Sequence, residues 1–196
     1  MIKELITKNR SCRRFVQKHP VSHQTLIDLV DLARLSASGS NLQPLKYILS
    51  CEPQTNALIF PLLAWAGYLT DWPGPQEGER PSAYIIILLD TKIRQSPGCD
   101  HGIAAQSILL GAAEKDLAGC IIASIEKEPL RKAFDIPPQY ETLLVLALGK
   151  PAEKVVIDEL GPDGDIKYYR DDQNIHHVPK RPLDEIIISP DLPSNQ

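Results

Sequence analysis

Ala83-Tyr84-Ile85-Ile86-Ile87-Leu88-Leu89, Gly102-Ile103-Ala104-Ala105-Gln106-Ser107-Ile108-Leu109-Leu110-Gly111-Ala112-Ala113 and Ala118-Gly119-Cys120-Ile121-Ile122-Ala123 together decide the fold. The first and last are unbroken apolar runs, the pattern of strands buried on both faces, and Leu143 to Leu148 repeats it. The middle segment is apolar on nearly every side except at Gln106 and Ser107, so as a helix it must be covered all round. A chain of 196 residues is long enough for one well-buried core, and a single layer of flanking elements rarely encloses a helix. One cover is therefore expected to be a second subunit, with Gly111, Ala112 and Ala113 permitting close approach. These segments predict a central sheet with helices packed on it, within one domain spanning residues 1–196.

Toward the N-terminus, a first helix is expected near Ile2 to Lys8, followed by the basic segment Arg10-Ser11-Cys12-Arg13-Arg14-Phe15. Ser22 is a suitable N-cap for a second helix, because Leu26, Leu29, Val30 and Ala33 then share one face. That helix should end near Ser36. Ser38-Gly39-Ser40-Asn41 is turn chemistry, Tyr47-Ile48-Leu49 reads as a short strand, and Trp72 to Pro81 is too rich in Pro and Gly to be other than a loop. Beyond Pro151 the sequence is charged and punctuated by Pro, with a strand candidate at Asp165 to Arg170. The segment Pro182 to Ile188 ends on three isoleucines and should dock on its own sheet or on a partner's.

A formal net charge of -4 excludes a broad basic surface, so nucleic acid is not an expected partner and any anion must be held by a local basic cluster. The N-terminal residues carry charge where a signal peptide needs an apolar core, and no apolar run is long enough to span a bilayer, so a cytoplasmic protein without membrane contact is expected. Cys12, Cys51, Cys99 and Cys120 form no C-x-x-C pair and read as reduced thiols. Adjacent His176 and His177 on an extended segment point to opposite faces, so no metal is expected there. Asp100-His101 reads as helix-start capping. Trp65, Tyr68 and Trp72 are either loop anchors or a wall over a ligand. The absence of GxGxxG argues against a classical dinucleotide-binding domain.

Two basic clusters, Arg10 with Arg13 and Arg14 and Lys180 with Arg181, gain meaning beside Ser11 and the Ser38-to-Pro44 segment. Guanidinium and ammonium groups neutralise a phosphate, Ser hydroxyls complete its hydrogen bonding, and Asn or Gln amides read a ring with both donors and acceptors. A flavin mononucleotide (FMN) has both parts.

Arg10-Ser11-x-Arg13-x-Phe15, Ser38-Gly39-Ser40-Asn41-Leu42-Gln43-Pro44, the apolar helix, Leu117 to Ile122 and Pro179-Lys180-Arg181-Pro182-Leu183 resemble, in order, the successive blocks of the nitroreductase family. The resemblance implies an α+β sandwich, with a central, mainly antiparallel sheet flanked by helices and an extended C-terminal tail, assembled as a homodimer with FMN at the subunit interface. It implies that Arg10, Ser11 and Arg13 hold the phosphate, ribityl chain and pyrimidine edge, with Lys180 and Arg181 closing on the phosphate. Ser38, Ser40, Asn41 and Gln43 would come from the other subunit, and the backbone at Ala123 and Ser124 would approach flavin N5. No side chain need act as catalytic acid or base, since the cofactor carries the electrons.

The chain departs from the family pattern at Asn9, Leu45 and Ala123-Ser124. The activity implied is oxidation of NADH or NADPH and reduction of a small acceptor such as a nitroaromatic or quinone, by alternation in one pocket. Dehalogenation, desaturation or flavin degradation on the same scaffold, or flavin binding without turnover, are the alternatives.

Overall fold

Strand β2 (Ala83–Asp90) is buried at all 8 of its positions. It has a strand on each side and helices on each face. β1 (Leu45–Ser50) pairs with one edge and β4 (Tyr140–Gly149) with the other, and β3 (Ala118–Ile122) adds to β4. The order is β1-β2-β4-β3, antiparallel throughout. Ile85 and Ile87 point to the face covered by α2 (His23–Leu35) and α4 (Asp100–Glu114), where Leu26, Leu29, Ala104 and Ile108 are fully buried. Tyr84, Ile86 and Leu88 point the other way, onto Ile59 of α3 (Pro53–Ile59) and Leu130 of α5 (Lys127–Ala133). The period-two alternation of a strand thus builds both cores.

This computed structural model describes residues 2–189. The chain divides between Glu153 and Lys154 into two compact units. The first unit begins with α1 (Ile2–Lys8). Ser22 caps α2 as its sequence predicts, accepting a hydrogen bond from Thr25 N at 3.0 Å. Gly111 permits close approach where α2 and α4 meet, since a Cβ there would lie 2.2 Å from Leu32 Cδ1 and 3.1 Å from Leu29 Cδ2. Helices α3 and α5 are additions to the sequence reading: at 7 residues each, with Pro53 and Pro129 in their first turns, they are too short to show a period.

The all-round cover expected for α4 is not supplied by this chain. Sheet and α2 bury Ala104, Ala105, Ile108, Leu109 and Ala112, while Ile103 and Gln106 stay exposed. Leu32 and Leu35 of α2 and Ile6 of α1 are exposed as well. Leu5, Leu32, Leu35 and Leu110 line a shallow groove of about 340 Å³ between these helices. No helix among the described residues is long and apolar enough to cross a membrane.

In the second unit, β5 (Val155–Glu159) lies parallel to β7 (His176–Lys180), and β6 (Tyr169–Arg170) pairs antiparallel with β7. The strand expected from Asp165 shrinks to two residues, because side chains of Asp163 and Asp165 capture the backbone N–H groups of Asp165 and Lys167 in local turns. Helix α6 (Leu183–Ile186) follows. Of the tail expected to dock, Leu183, Ile186, Ile187 and Ile188 are exposed among the described residues.

The two adjacent histidines do point apart. His176 is buried beside Tyr168, at 5.3 Å between ring centroids. His177 stacks on Tyr169 at 4.7 Å and lies between Asp158 (2.7 Å) and Asp171 (3.2 Å). One imidazole thus ties β5 and the turn after β6 to β7. Hydrogen bonds to Asp158 and then Asp171 hold the His177 pKa above its ordinary 6.5. The backbone N–H of Ile175 and the contact with His177 hold Asp171 below its ordinary range. A raised imidazole pKa contributes stability that is complete below the unfolded value and lost as pH rises through the folded one. Amide protection in β5 and β7, corrected for intrinsic exchange, is therefore expected to fall as the pH rises above the ordinary imidazole value of 6.5, and His177→Gln should remove that dependence. Constant protection over that rise would contradict the clamp.

Candidate active site

After α1 the chain runs beside β3, with Ser11 bridging Gly119 in parallel and Cys12 N donating to Gly119 O at 3.0 Å. The backbone N–H groups of Arg13 and Arg14 both donate to the Glu153 carboxylate. This fixes the segment at the edge of the sheet. The Arg13 side chain is only 9% exposed, and its Nη1 donates to Ser11 O at 3.4 Å. Arg13 walls a cleft of about 210 Å³ together with Trp65, Cys120, Ala123 and Ser124. Burial raises the Cys120 thiol above its ordinary range, against the pull of the Arg13 charge.

Ala123 and Ser124 follow β3 and are exposed. They are held by the facing loop, where Ala64 N donates to Ser124 O at 3.0 Å and Glu126 N to Leu62 O at 2.9 Å. Trp65 sits 6.0 Å from the Phe60 ring. Its back is closed by Gly74, where a Cβ would come 2.7 Å from the indole and where φ is +116°. Trp65 Nε1 is buried with no hydrogen-bond partner. Of the three aromatics, Trp65 is thus a cleft wall, Trp72 is an anchor under the Arg14 guanidinium at 5.9 Å, and Tyr68 is exposed. Arg10 turns back on α1, donating from Nε to Asn9 O (2.6 Å) and from Nη2 to Ile6 O (2.9 Å).

The second set of residues is held differently. Ser38 Oγ donates to Asp100 Oδ2 at 2.6 Å, Gly39 N donates to Asp100 Oδ1 at 2.9 Å, and Gln43 N donates back to Ser38 Oγ at 2.9 Å. Ser40, Asn41 and Gln43 have φ of 52°, 54° and 53°. Such left-handed backbone is costly for residues with a Cβ and persists only where the surroundings impose it. Asp100 is what imposes it here. Cys99, not Asp100, occupies the N-cap of α4 and makes no side-chain cap bond, so Asp100 is a loop anchor rather than the helix cap its position suggests. Burial acts to raise the Asp100 carboxyl, but the bonds from Ser38 and Gly39 and the charge of Arg94 hold it below the ordinary range.

The two sets do not meet within one chain. The Ser38–Gln43 loop leads into β1 at one edge of the sheet, and Arg13 with Ala123 and Ser124 lies at β3 on the other. Three inter-strand steps, about 14 Å, separate those edges. Lys180 closes β7 in the second unit, and Arg181 pairs with Glu185 at 3.1 Å. Ala64, Ala66 and Gly67, which flank Trp65 in the cleft lining, and the anchoring role of Asp100 are missing from the sequence reading. Nothing in those three small residues marks them, whereas an acid beginning a helix near a Ser-Gly-Ser turn is a signal that could have found Asp100.

The nitroreductase family model matches residues 6–150. This chain belongs to the nitroreductase family. A curated relative, "Putative NAD(P)H nitroreductase YodC" of Bacillus subtilis (strain 168), is 22% identical over 177 residues, covering 75% of this chain and 88% of its own. The fold matches a nitroreductase family protein of Streptococcus pneumoniae TIGR4 with a TM-score of 0.71 at 18% identity, over 97% of this chain and 100% of that one. It also matches an FMN-dependent nitroreductase of Clostridium difficile R20291, with a TM-score of 0.62 at 21% identity, over 79% and 89% of the two chains.

Removing the anchor should loosen one half of the site and leave the other intact. Asp100→Ala is expected to cost about 1.5–3 kcal/mol, the range for hydrogen bonds to a charged group, and to raise hydrogen exchange at residues 38–43 while residues 119–124 keep their protection. Unchanged exchange in the loop would show that the turn holds itself.

Proposed function

We propose that this nitroreductase-family chain is an FMN-dependent oxidoreductase, acting as a homodimer on NADH or NADPH and on a small electron-poor acceptor such as a nitroaromatic or quinone. One observation carries the reading: the buried Arg13 and the exposed residues Ala123 and Ser124 wall a single cleft together with Trp65 and its unpartnered Nε1. That donor set fits a flavin ring, which offers acceptor atoms on one edge and a reactive nitrogen on the other. At about 210 Å³ the cleft falls below the roughly 300–1,000 Å³ of a complete small-molecule pocket. One chain therefore supplies part of a site.

FMN, when bound, would supply hydride acceptance and delivery. The chain's own residues would orient it. Arg13 would place a cation beside the pyrimidine edge, where negative charge accumulates on reduction. Arg10 and Ser11 would reach the ribityl phosphate, and Lys180 and Arg181 would supply the further basic groups that the family resemblance assigns to a phosphate. Ser38, Ser40, Asn41 and Gln43 would be contributed by the partner, whose copy of the loop is already held open by Asp100. The exposed apolar strip of Ile6, Leu32, Leu35 and Ile103 supports such an interface. The cleft needs no acid or base of its own, and Ala123 and Ser124 present none. We place the enzyme in the cytoplasm.

The purified protein is expected to release FMN rather than FAD on denaturation and to give parallel double-reciprocal lines with NAD(P)H and a nitroaromatic. Arg10→Ala combined with Arg181→Ala should remove most of the flavin. Wild-type flavin content in that double variant would refute the phosphate assignment.

A further inference from the structure

A further cleft of the first unit lies elsewhere. It measures about 710 Å³ and shares no lining residue with the Arg13 cleft. Its volume is that of a pocket for a small organic molecule, and nothing in the proposed flavin chemistry uses it. The Arg80 guanidinium lies over Phe60, its carbon 4.3 Å from the ring centroid. Its Nε is buried without a hydrogen-bond partner, and among the described residues no carboxylate pairs with it. Beside it, Ser82 is 8% exposed and its hydroxyl also has no partner.

Neither orphan results from a loosely held wall. Ser82 N donates to Leu148 O at 3.1 Å, and Ser82 O accepts from Asn56 Nδ2 at 2.8 Å. Asn56 is itself fixed, accepting from Ser50 Oγ at 2.8 Å. Two donors are thus held ready with nothing to receive them, which is unusual for buried polar groups. A guanidinium stacked on an aromatic ring keeps its in-plane N–H fork free and pre-oriented for a planar oxyanion.

The rest of the lining narrows the ligand. Val21, Pro81 and Tyr84 give apolar surface, so the occupant has an apolar body. Lys18 and Arg80 are balanced by Glu52 and Glu77, which favours a single negative charge over a phosphate dianion. We propose that this cleft binds a small organic monocarboxylate, its carboxylate on Arg80 and Ser82 and its body against Val21, Pro81 and Tyr84. This inference stands apart from the flavin reading, and failure of either leaves the other intact.

The test uses the full-length protein as purified with benzoate as probe, followed by calorimetry and by amide chemical shifts. Benzoate is expected to bind once per chain and to shift resonances of residues 51–57 and 78–84. Arg80→Gln should weaken it at least about 10-fold, the loss of one charge-assisted contact, and Ser82→Ala should weaken it by a smaller factor. Lys18→Gln, which removes a charge from the same cleft but no orphan donor, should change it less than about 2-fold. Unaltered affinity in Arg80→Gln overturns the site, as do shifts confined to residues 119–124. Inorganic phosphate binding as tightly as benzoate overturns the monocarboxylate preference.

Discussion

The sheet order β1-β2-β4-β3 is the constraint on which the rest depends. Strand β2 can be buried at every position only if strands flank it and helices cover both faces, and this fixes which segments reach each edge. The Ser38–Gln43 loop enters at β1, and the Arg13 segment bridges β3. Hydrogen-bonded strands cannot be compressed, so the sheet edges from which the two sets are carried stay about 14 Å apart. The proposed sharing of one flavin between two chains follows that division. The exposed residues of α4 and its neighbours are the surface it would use.

Each half is held by a carboxylate that contacts backbone. Glu153 receives two successive N–H groups from Arg13 and Arg14, and Asp100 receives Ser38 Oγ and Gly39 N. Neither acid faces a reacting atom. Both convert flexible chain into a fixed surface, which is how a protein that leaves the electron chemistry to a cofactor contributes to rate.

Much of the fold was legible because its signals are local and strong. Ser22 before a 3.6-residue apolar period, the unbroken run at Ala83 and the all-apolar segment at Gly102 each admit few readings. Helices α3 and α5 were not legible, since seven residues with a Pro in the first turn carry no period. The strand expected from Asp165 failed because Asp side chains captured the backbone first. The candidate site was legible where residue type implies charge, at Arg13, and where the turn is polar, at Ser38 to Gln43. It was illegible where the site rests on shape: Ala64 joins the cleft wall by backbone pairing with Ser124, and Gly74 matters through the indole it admits. The Arg80 cleft is of the same kind, because an orphaned donor is a property of surroundings and not of sequence.

Subunit mixing tests the two-chain site most directly. Arg13→Ala and Asn41→Ala variants each damage a different half, so each homodimer alone should bind little FMN. If every site takes Arg13 from one chain and Asn41 from the other, equal mixing and reassociation yields hybrid dimers with one intact site. Flavin content should then recover to about a quarter of the wild-type sites. Near-normal flavin content in either homodimer, or no recovery in verified hybrids, would contradict the account.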